Sequence, residues 1–453
     1  MRAFIAKNIS LPVQDFINDT HILKSLEDLR ISQYWDLEKQ QSYQFEKFLR
    51  LLDHSIKNVP YYKDLFLQNK LTLKDIRTYS DINKIPILTK KIAREQNQRL
   101  VANNINWKKT QKGITGGTTG PPLKLLHDNS DLSLTWAAYY RWFDWMGLKA
   151  GDRYVKVWGT PMVLNIPMSY RIKARMKEFY YNRKIINSFN LNEKTIPIAL
   201  KEIESFKPVF IRGYLSAFIQ LAEYIVENNY KLSYVPKAMS STTETLYPPY
   251  KKLIEKAFNT RLYDQYGCGE CNSIAYDAGD GGLYITSEHC FLEIIDDYGV
   301  EAGMNEGRLI ITNLDNYAMP FIRYENGDSG KFGQTNLDSK IKLPILKQVI
   351  GRSVDTITLK DGSKVHGVFF TDILNELFNE NPTSIHRFQV FQVQPGKIEF
   401  RVESKVDLDK NYYDKLYSAL SQYFLEISII CMPELPKDKS GKFRYILSNT
   451  KEV

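Results

Sequence analysis

Between Asp152 and Asn313 the chain alternates short β-rich runs with helical stretches, and this alternation restricts the fold more than any other feature. YVKVWG (154–159), PVFIRGY (208–214), TRLYDQYG (260–267) and GRLIITN (307–313) carry the β-branched and aromatic side chains of short strands. Thr195–Ser205, Ser216–Asn228 and Tyr247–Phe258 read as helices between them. Strands alternating with helices predict α/β layers, in which helices cover the faces of a sheet. Cys290–Ile295 and Gly307–Thr312 lie closer together, with turns at Asp296–Gly299 and Gly303–Gly307, so a hairpin-rich portion follows. A chain of 453 residues is long for one core, which implies more than one domain.

The flanks have different textures. Residues 1–110 predict a helical lead-in. Gln41–Leu52 places Phe45, Phe48, Leu49, Leu51 and Leu52 at helical intervals, Pro60 starts a turn or the next helix, and Thr72 and Ser80 are candidate N-caps. Asp131–Met146 predicts a helix with more large rings (Trp136, Tyr139, Tyr140, Trp142, Phe143, Trp145) than one narrow stripe needs. Core packing accounts for most of them; one or two are candidates to line a pocket. After Gly351 and Arg352 come a turn at Asp361-Gly362, a helix at Phe369–Phe378, a hairpin over 389–403 around Pro395-Gly396 and a helix at Asn411–Leu425. The expected division is a large domain over 1–349 and a small α+β domain over 350–453.

Composition removes several classes. The chain has no uninterrupted run of about 18 apolar residues, and no apolar segment follows the cations of Met1–Ser10, so neither a membrane span nor a secretory signal is expected and the cytoplasm is the default. The net charge of +9 is spread among 52 acids without a long basic block, so nucleic-acid binding is not implied.

Two motifs carry candidate chemistry. GITGGTTGPPLK (113–124) alternates Thr115, Thr118 and Thr119 with Gly116, Gly117 and Gly120, and Lys124 adds a cation. Glycines let backbone N–H groups approach a ligand, and hydroxyls beside them can ring an anion. The loop lacks the GK[ST] ending of a Walker A loop and the G-x-G-x-x-G of a dinucleotide fingerprint. Cys268-x-x-Cys271, with His289-Cys290 further on, has the residue types and spacing of a tetrahedral Zn²⁺ site, against the alternative of separate buried thiols.

The Gly/Thr loop is followed in order by DQYGCGE (264–270), RYENGD (323–328), IGRSVD (350–355) and PKDKSGKFR (436–444). This ordered set resembles the adenylate-forming ligases, and most closely the phenylacetate–CoA ligase branch with its CapK-like relatives. The resemblance implies a large multi-layer N-terminal domain of sheets flanked by helices and a small mobile α+β lid. It implies activation of a carboxylic acid by ATP with Mg²⁺, then transfer of the acyl group to CoA. An amine acceptor is the variant reading, and a non-catalytic nucleotide- or metal-binding scaffold is the alternative of another class. By the same resemblance Thr115–Gly120 grips the β/γ-phosphates. Ser241, Thr242, Thr243 and Glu244, and Asp264, Gln265, Tyr266 and Gly267, flank the adenine. Glu270 takes Mg²⁺, Asp328 and Arg352 meet the ribose, and Lys442 reaches the α-phosphate and carboxylate. Tyr214 is a candidate wall of the acid pocket, and a homodimer is the implied assembly. The positive balance then suits the phosphates of ATP and CoA. Two departures stand out. The acid expected two places after the hinge Arg is Val354, with only Asp355 following, so the pivot differs. In relatives with a cysteine/histidine metal set the later ligands fall near Asp277 and Tyr284, so the set here is lost or rearranged.

Overall fold

The computed structural model describes residues 9, 11–114, 123–158, 175–176, 178–188, 191–242, 244–334, 338–352, 356–362, 364–366, 370, 387–404, 408–436 and 446–448. The lead-in is helical. Helices α1 (Leu11–Asn18), α2 (Ile22–Ser32), α3 (Leu37–Asn58) and α4 (Pro60–Gln68) follow one another. The Asp36 carboxylate accepts from the Lys39 N–H to start α3, and Pro60 opens α4, where its missing N–H costs no intrahelical bond. Phe48, Leu51 and Leu52 on α3 and Tyr62 and Phe66 on α4 are buried in one cluster. Thr72 and Thr78 each form a reciprocal capping box, with Asp75 and Asp81, on the short 3-10 helices Leu73–Asp75 and Tyr79–Lys84. Ser80 lies inside the second of these helices, so the cap predicted there belongs to Thr78 instead. Strand β1 (Leu88–Thr89) and helix α5 (Lys90–Glu95) precede a hairpin of β2 (Thr110–Ile114) and β3 (Lys124–Asp128). Helix α6 (Asn129–Trp145) follows directly, started by Asp128, whose carboxylate accepts from the Asp131 N–H.

The alternating region forms a five-stranded parallel sheet. Its strands are β4 (Tyr154–Trp158), β5 (Arg183–Asn187), β6 (Phe210–Tyr214), β7 (Ala238–Thr242) and β8 (Leu262–Tyr263), in the order β5-β4-β6-β7-β8. Helices α7 (Ile196–Phe206), α8 (Leu215–Glu227) and α9 (Pro248–Phe258) pack Leu200, Phe218, Leu221 and Ile254 against Val155, Val157, Ile211 and Met239 on one face. Helix α6 covers the other face, where Trp142 and Phe143 meet Phe210.

The stretch 260–267, expected as one strand, splits between two sheets. Leu262–Tyr263 ends the parallel sheet, and β9 (Gln265–Tyr266) begins another, with Asp264 at the crossing. The second sheet holds β9, β10 (Ala275–Asp277), β11 (Leu283–Ile285), β12 (Cys290–Ile295), β13 (Gly307–Asn313), β14 (Tyr324–Phe332) and β15 (Ile345–Arg352), with β1 parallel on β14. The predicted hairpin of 290–295 with 307–313 is present, and Cys290 faces Asn313 in the register. Arg323, just before β14, is buried with φ of 49°. Its guanidinium meets Glu293 at 2.8 Å and the Ile85 carbonyl at 2.7 Å, tying this sheet to the lead-in.

Beyond β15, β16 (Thr356–Thr358) and β17 (Lys364–His366) flank the turn at Asp361-Gly362. Strands β18 (Arg387–Gln394), β19 (Lys397–Glu403), β20 (Glu426–Met432) and β21 (Ile446–Ser448) form a sheet in the order β20-β19-β18-β21, beside helix α10 (Lys410–Ser421). The hairpin turns at Pro395-Gly396, where Gly396 has φ of 74°. The helix expected over 369–378 lies outside the described residues apart from Phe370. Sheets flanked by helices in an α/β arrangement, with an α+β portion after them, are thus the observed architecture. No helix among the described residues is long and apolar enough to cross a membrane.

Candidate active site

The crossing at Asp264 brings together segments that are far apart in the chain. The Gln265 amide donates to Thr242 Oγ1 at 2.8 Å, joining the end of β7 to β9. The Tyr266 hydroxyl donates to Asp328 Oδ2 at 2.8 Å, and the Asn326 amide reaches both at 2.7 Å. Burial and the nearby Asp328 charge push the Tyr266 phenol well up, so it stays a donor. Asp328 lies opposite Arg352 in the β14–β15 register, which places both ribose candidates side by side on adjacent strands. Desolvation pushes the Asp264 carboxyl up to about 7, with Asp277 adding to the rise.

Glu270 is buried two segments further on. The Tyr324 hydroxyl donates to its Oε1 at 2.7 Å, and the Asn313 amide donates to its carbonyl at 3.2 Å. Asn313 also donates to Asp131 Oδ1 at 2.9 Å, and Asp131 Oδ2 meets His127 Nδ1 at 2.5 Å. His127 is on β3, beside Gly113 of β2, so this chain of contacts runs from Glu270 to the base of the hairpin that carries the Gly/Thr loop. Burial works against a charged His127, but the bond and charge of Asp131 hold its pKa above the ordinary histidine value. Burial likewise opposes ionised Asp131, yet His127, with His289 and Asn313, holds it below the ordinary carboxylate value. The network continues through His289, whose Nδ1 is 2.9 Å from Asp315, to Lys47 of α3, which bonds Asp315 at 2.6 Å and the Glu288 carbonyl at 2.6 Å. Arg141 and Glu288, both buried, pair at 2.7 Å beside it.

The sequence-predicted residues therefore separate into three groups. Thr242, Gln265, Tyr266, Asp328 and Glu270 share contacts or neighbours, with Ser241, Asp264 and Gly267 adjacent in the chain and the backbone of Arg352 in register. Gly267 is closely packed: a Cβ there would stand 3.0 Å from the Ser273 nitrogen, tighter than ordinary contact. Glu244 binds the start of α8: the Ser216 N–H and hydroxyl each donate to its carboxylate at 2.9 Å. Lys124 is exposed at the start of β3, and its carbonyl accepts from Asn97. Tyr214 ends β6 against the Trp158 ring, with centroids 4.4 Å apart. Thr115, Gly116, Gly117, Thr118, Thr119, Gly120, Thr243 and Lys442 lie outside the described residues.

The zinc reading is corrected. Cys268, Cys271, His289 and Cys290 are all described, and the described residues contain no cluster of three or more ligands that could hold a metal. His289 turns its ring nitrogens to oxygen partners, Asp315 on one side and Thr135 and Asp131 on the other. Cys290 donates toward the Thr286 and Ile274 carbonyls, and burial pushes the Cys268 and Cys271 thiols well up. Cys271 and Cys290 are buried free thiols and Cys268 is a partly buried one, which is close to the alternative reading of the spacing.

Sequence reasoning missed Tyr324, Asn326, His127, Asp131 and Asn313. Tyr324 and Asn326 sit inside RYENGD, and the His127–Asp131 spacing of four was a readable signal.

No protein-family profile matches the chain. It is 26% identical over 433 residues to Protein CapK of Staphylococcus aureus, covering 93% of this chain and 91% of that protein. It is 23% identical over 366 residues to the phenylacetate-coenzyme A ligase of Aromatoleum evansii, covering 76% of each. The crystal structure of 2-hydroxyisobutyryl-CoA ligase in the postadenylation state, in complex with R3-HIB-AMP, shares its fold with a TM-score of 0.74 at 16% identity, covering 92% of this chain and 91% of that one.

Proposed function

The chain belongs to the adenylate-forming ligase superfamily, and on that premise we propose that it joins ATP and a carboxylic acid into an acyl-adenylate, releasing pyrophosphate, and passes the acyl group to CoA. One observation carries the reading. Residues 242, 265–270 and 324–328 converge through hydrogen bonds, with strand β15 bringing Arg352 alongside.

A free carboxylate lacks a leaving group, and an acyl-adenylate supplies one. The protein's task is to hold two anionic substrates in line and offset their charge. Asp328, with two acceptor oxygens, suits the ribose diol, and the Tyr266 and Asn326 donors fix its orientation. Mg²⁺ takes few protein carboxylates and completes its shell from phosphates and water. Glu270, a hard oxygen donor oriented by Tyr324, fits that demand and would hold the ion, which offsets phosphate charge when bound. The Gly/Thr loop is assigned to the phosphates and Lys442 to the reacting carboxylate. The division into 1–349 and a lid over 350–453 belongs to this proposal, as do the homodimer and the cytoplasmic location. The strand Ile345–Arg352 puts the last large-sheet residues at the start of that lid.

The test is pyrophosphate release from ATP across a panel of carboxylic acids, followed by AMP formation with CoA or with an amine. Adenylation with CoA-dependent turnover supports the reading. Turnover with an amine alone replaces the acceptor, and release with no acid overturns the proposal.

A further inference from the structure

Within the parallel sheet, Lys156 and Arg212 have no carboxylate ion-pair partner among the described residues. Lys156 and Arg212 are neighbours in the β4–β6 register, and Arg212 is the neighbour of Ser240 across β6–β7. In parallel pairing such partners project to the same face, here the face covered by α6. The Lys156 Nζ is 3.9 Å from the centre of the Trp158 ring. The Arg212 guanidinium stands 4.6 Å from the Tyr139 ring and 5.7 Å from the same indole. Burial, helped by the positive charges of Arg212 and Arg183, brings the Lys156 pKa down to about 8. Arg212 Nε and Ser240 Oγ are buried with no hydrogen-bond partner among the described residues, and Ser240 is 0% exposed. Residues 159–174, which follow β4 in the chain, contain neither Asp nor Glu.

Like charges drawn out of water beside each other are costly unless an anion joins them. Aromatic faces soften that cost without cancelling it. The position says what kind of anion belongs there. Trp158, Tyr214 and Thr242 mark the carboxyl ends of β4, β6 and β7, where open α/β sheets bind ligands. Thr242 holds Gln265 of the nucleotide segment there. Lys156, Arg212 and Ser240 lie two residues back along the same strands, roughly 6–7 Å deeper at about 3.3 Å per residue.

We propose that the acid activated by this protein carries a second anionic group, held by Lys156, Arg212 and Ser240 between the rings of Tyr139, Trp158 and Tyr214, while its reacting carboxyl faces the nucleotide. The inference rests on the proposed adenylation and specifies its substrate class. A carboxylate, a sulfonate and a phosphate share the required chemistry, and the acid panel separates them.

The experiment compares size-matched pairs by kcat/KM for pyrophosphate release: glutarate against 5-methylhexanoate, 4-carboxyphenylacetate against 4-isopropylphenylacetate, and the sulfonate and phosphonate counterparts. The wild type is expected to favour the dianionic member of at least one pair by at least 10-fold. Lys156→Met and Arg212→Met should each collapse that ratio, and Lys156→Arg should keep it. A wild type that prefers monoacids throughout, or a ratio unmoved by both Met variants, overturns the inference while leaving adenylation standing. If no acid is adenylated, the proposed reaction fails, and ligand-induced thermal shifts decide the site separately. Dianionic acids then raise the wild-type Tm and not that of the Met variants, and no such difference overturns the site.

Discussion

Replacing Asp131 by Asn separates two contributions that the buried network combines. Asp131 is 1% exposed, accepts from His127 at 2.5 Å and from Asn313 at 2.9 Å, and holds the His127 pKa above the histidine reference of 6.5. A group whose folded pKa is raised contributes stability below its unfolded value and loses it as pH climbs through the folded one. Asp131 is the opposite case: its lowered pKa contributes above the reference of 3.8 and fades only as pH falls through the folded value. The paired charges therefore act fully between about pH 4 and 6.5. Near pH 5.5 the substitution leaves a buried imidazolium facing an amide, a change in the class that costs about 3–5 kcal/mol. Once pH has climbed through the raised His127 value the ring is neutral and the loss approaches that of one hydrogen bond, about 1 kcal/mol. Guanidinium unfolding of both proteins, followed by tryptophan fluorescence at half-unit steps from pH 5 to 9, should show the gap narrowing as pH rises. A gap that stays constant across that range refutes the charged pairing.

The site makes further predictions. Asp328→Ala should raise the KM for ATP about 10–100-fold, the equivalent of one or two charge-assisted hydrogen bonds, in initial-rate assays of pyrophosphate release. Tyr324→Phe removes the donor that orients Glu270 and should raise the Mg²⁺ concentration for half-maximal activity about 10-fold; an unchanged titration would separate Glu270 from the metal. Lys442→Ala should lower adenylation at least about 100-fold with the unfolding midpoint retained, and near-normal pyrophosphate release removes its role. Arg323→Met strands Glu293, 10% exposed at its side chain, and should cost about 3–5 kcal/mol in denaturation, partly recovered by adding Glu293→Leu.

The helices and strands of 152–313 were readable because local composition and packing agree there. Leu200, Phe218 and Ile254 fall on the buried faces that their spacing predicts. The split at Asp264 was not readable, since both halves of TRLYDQYG have strand chemistry and only tertiary pairing assigns them to different sheets. Lys156 and Arg212 were hidden for a related reason. Alternation with Val155, Val157 and Ile211 looks like a sheet with one wet face, and it takes the position of α6 to show that the face is covered. The motif order singled out Asp328, Glu270 and Tyr266 as candidates, but not Tyr324, which bonds Glu270, because it differs from a core tyrosine only in what its hydroxyl faces. Cys268 and Cys271 had ligand spacing, and what decided against them was the direction of the His289 ring.

The contacts of Lys47, Gln44 and Ser32 with residues 287–290 and Asp315 have a consequence for protein engineering. The opening helices cannot be exchanged between homologues as a passive module. A transplanted lead-in without a cation at position 47 or a hydroxyl at 32 would leave Asp315 and Glu288 short of donors directly behind His289. Chimeras should therefore move Ser32, Gln44 and Lys47 together with 287–290 and 315, or leave all of them in place.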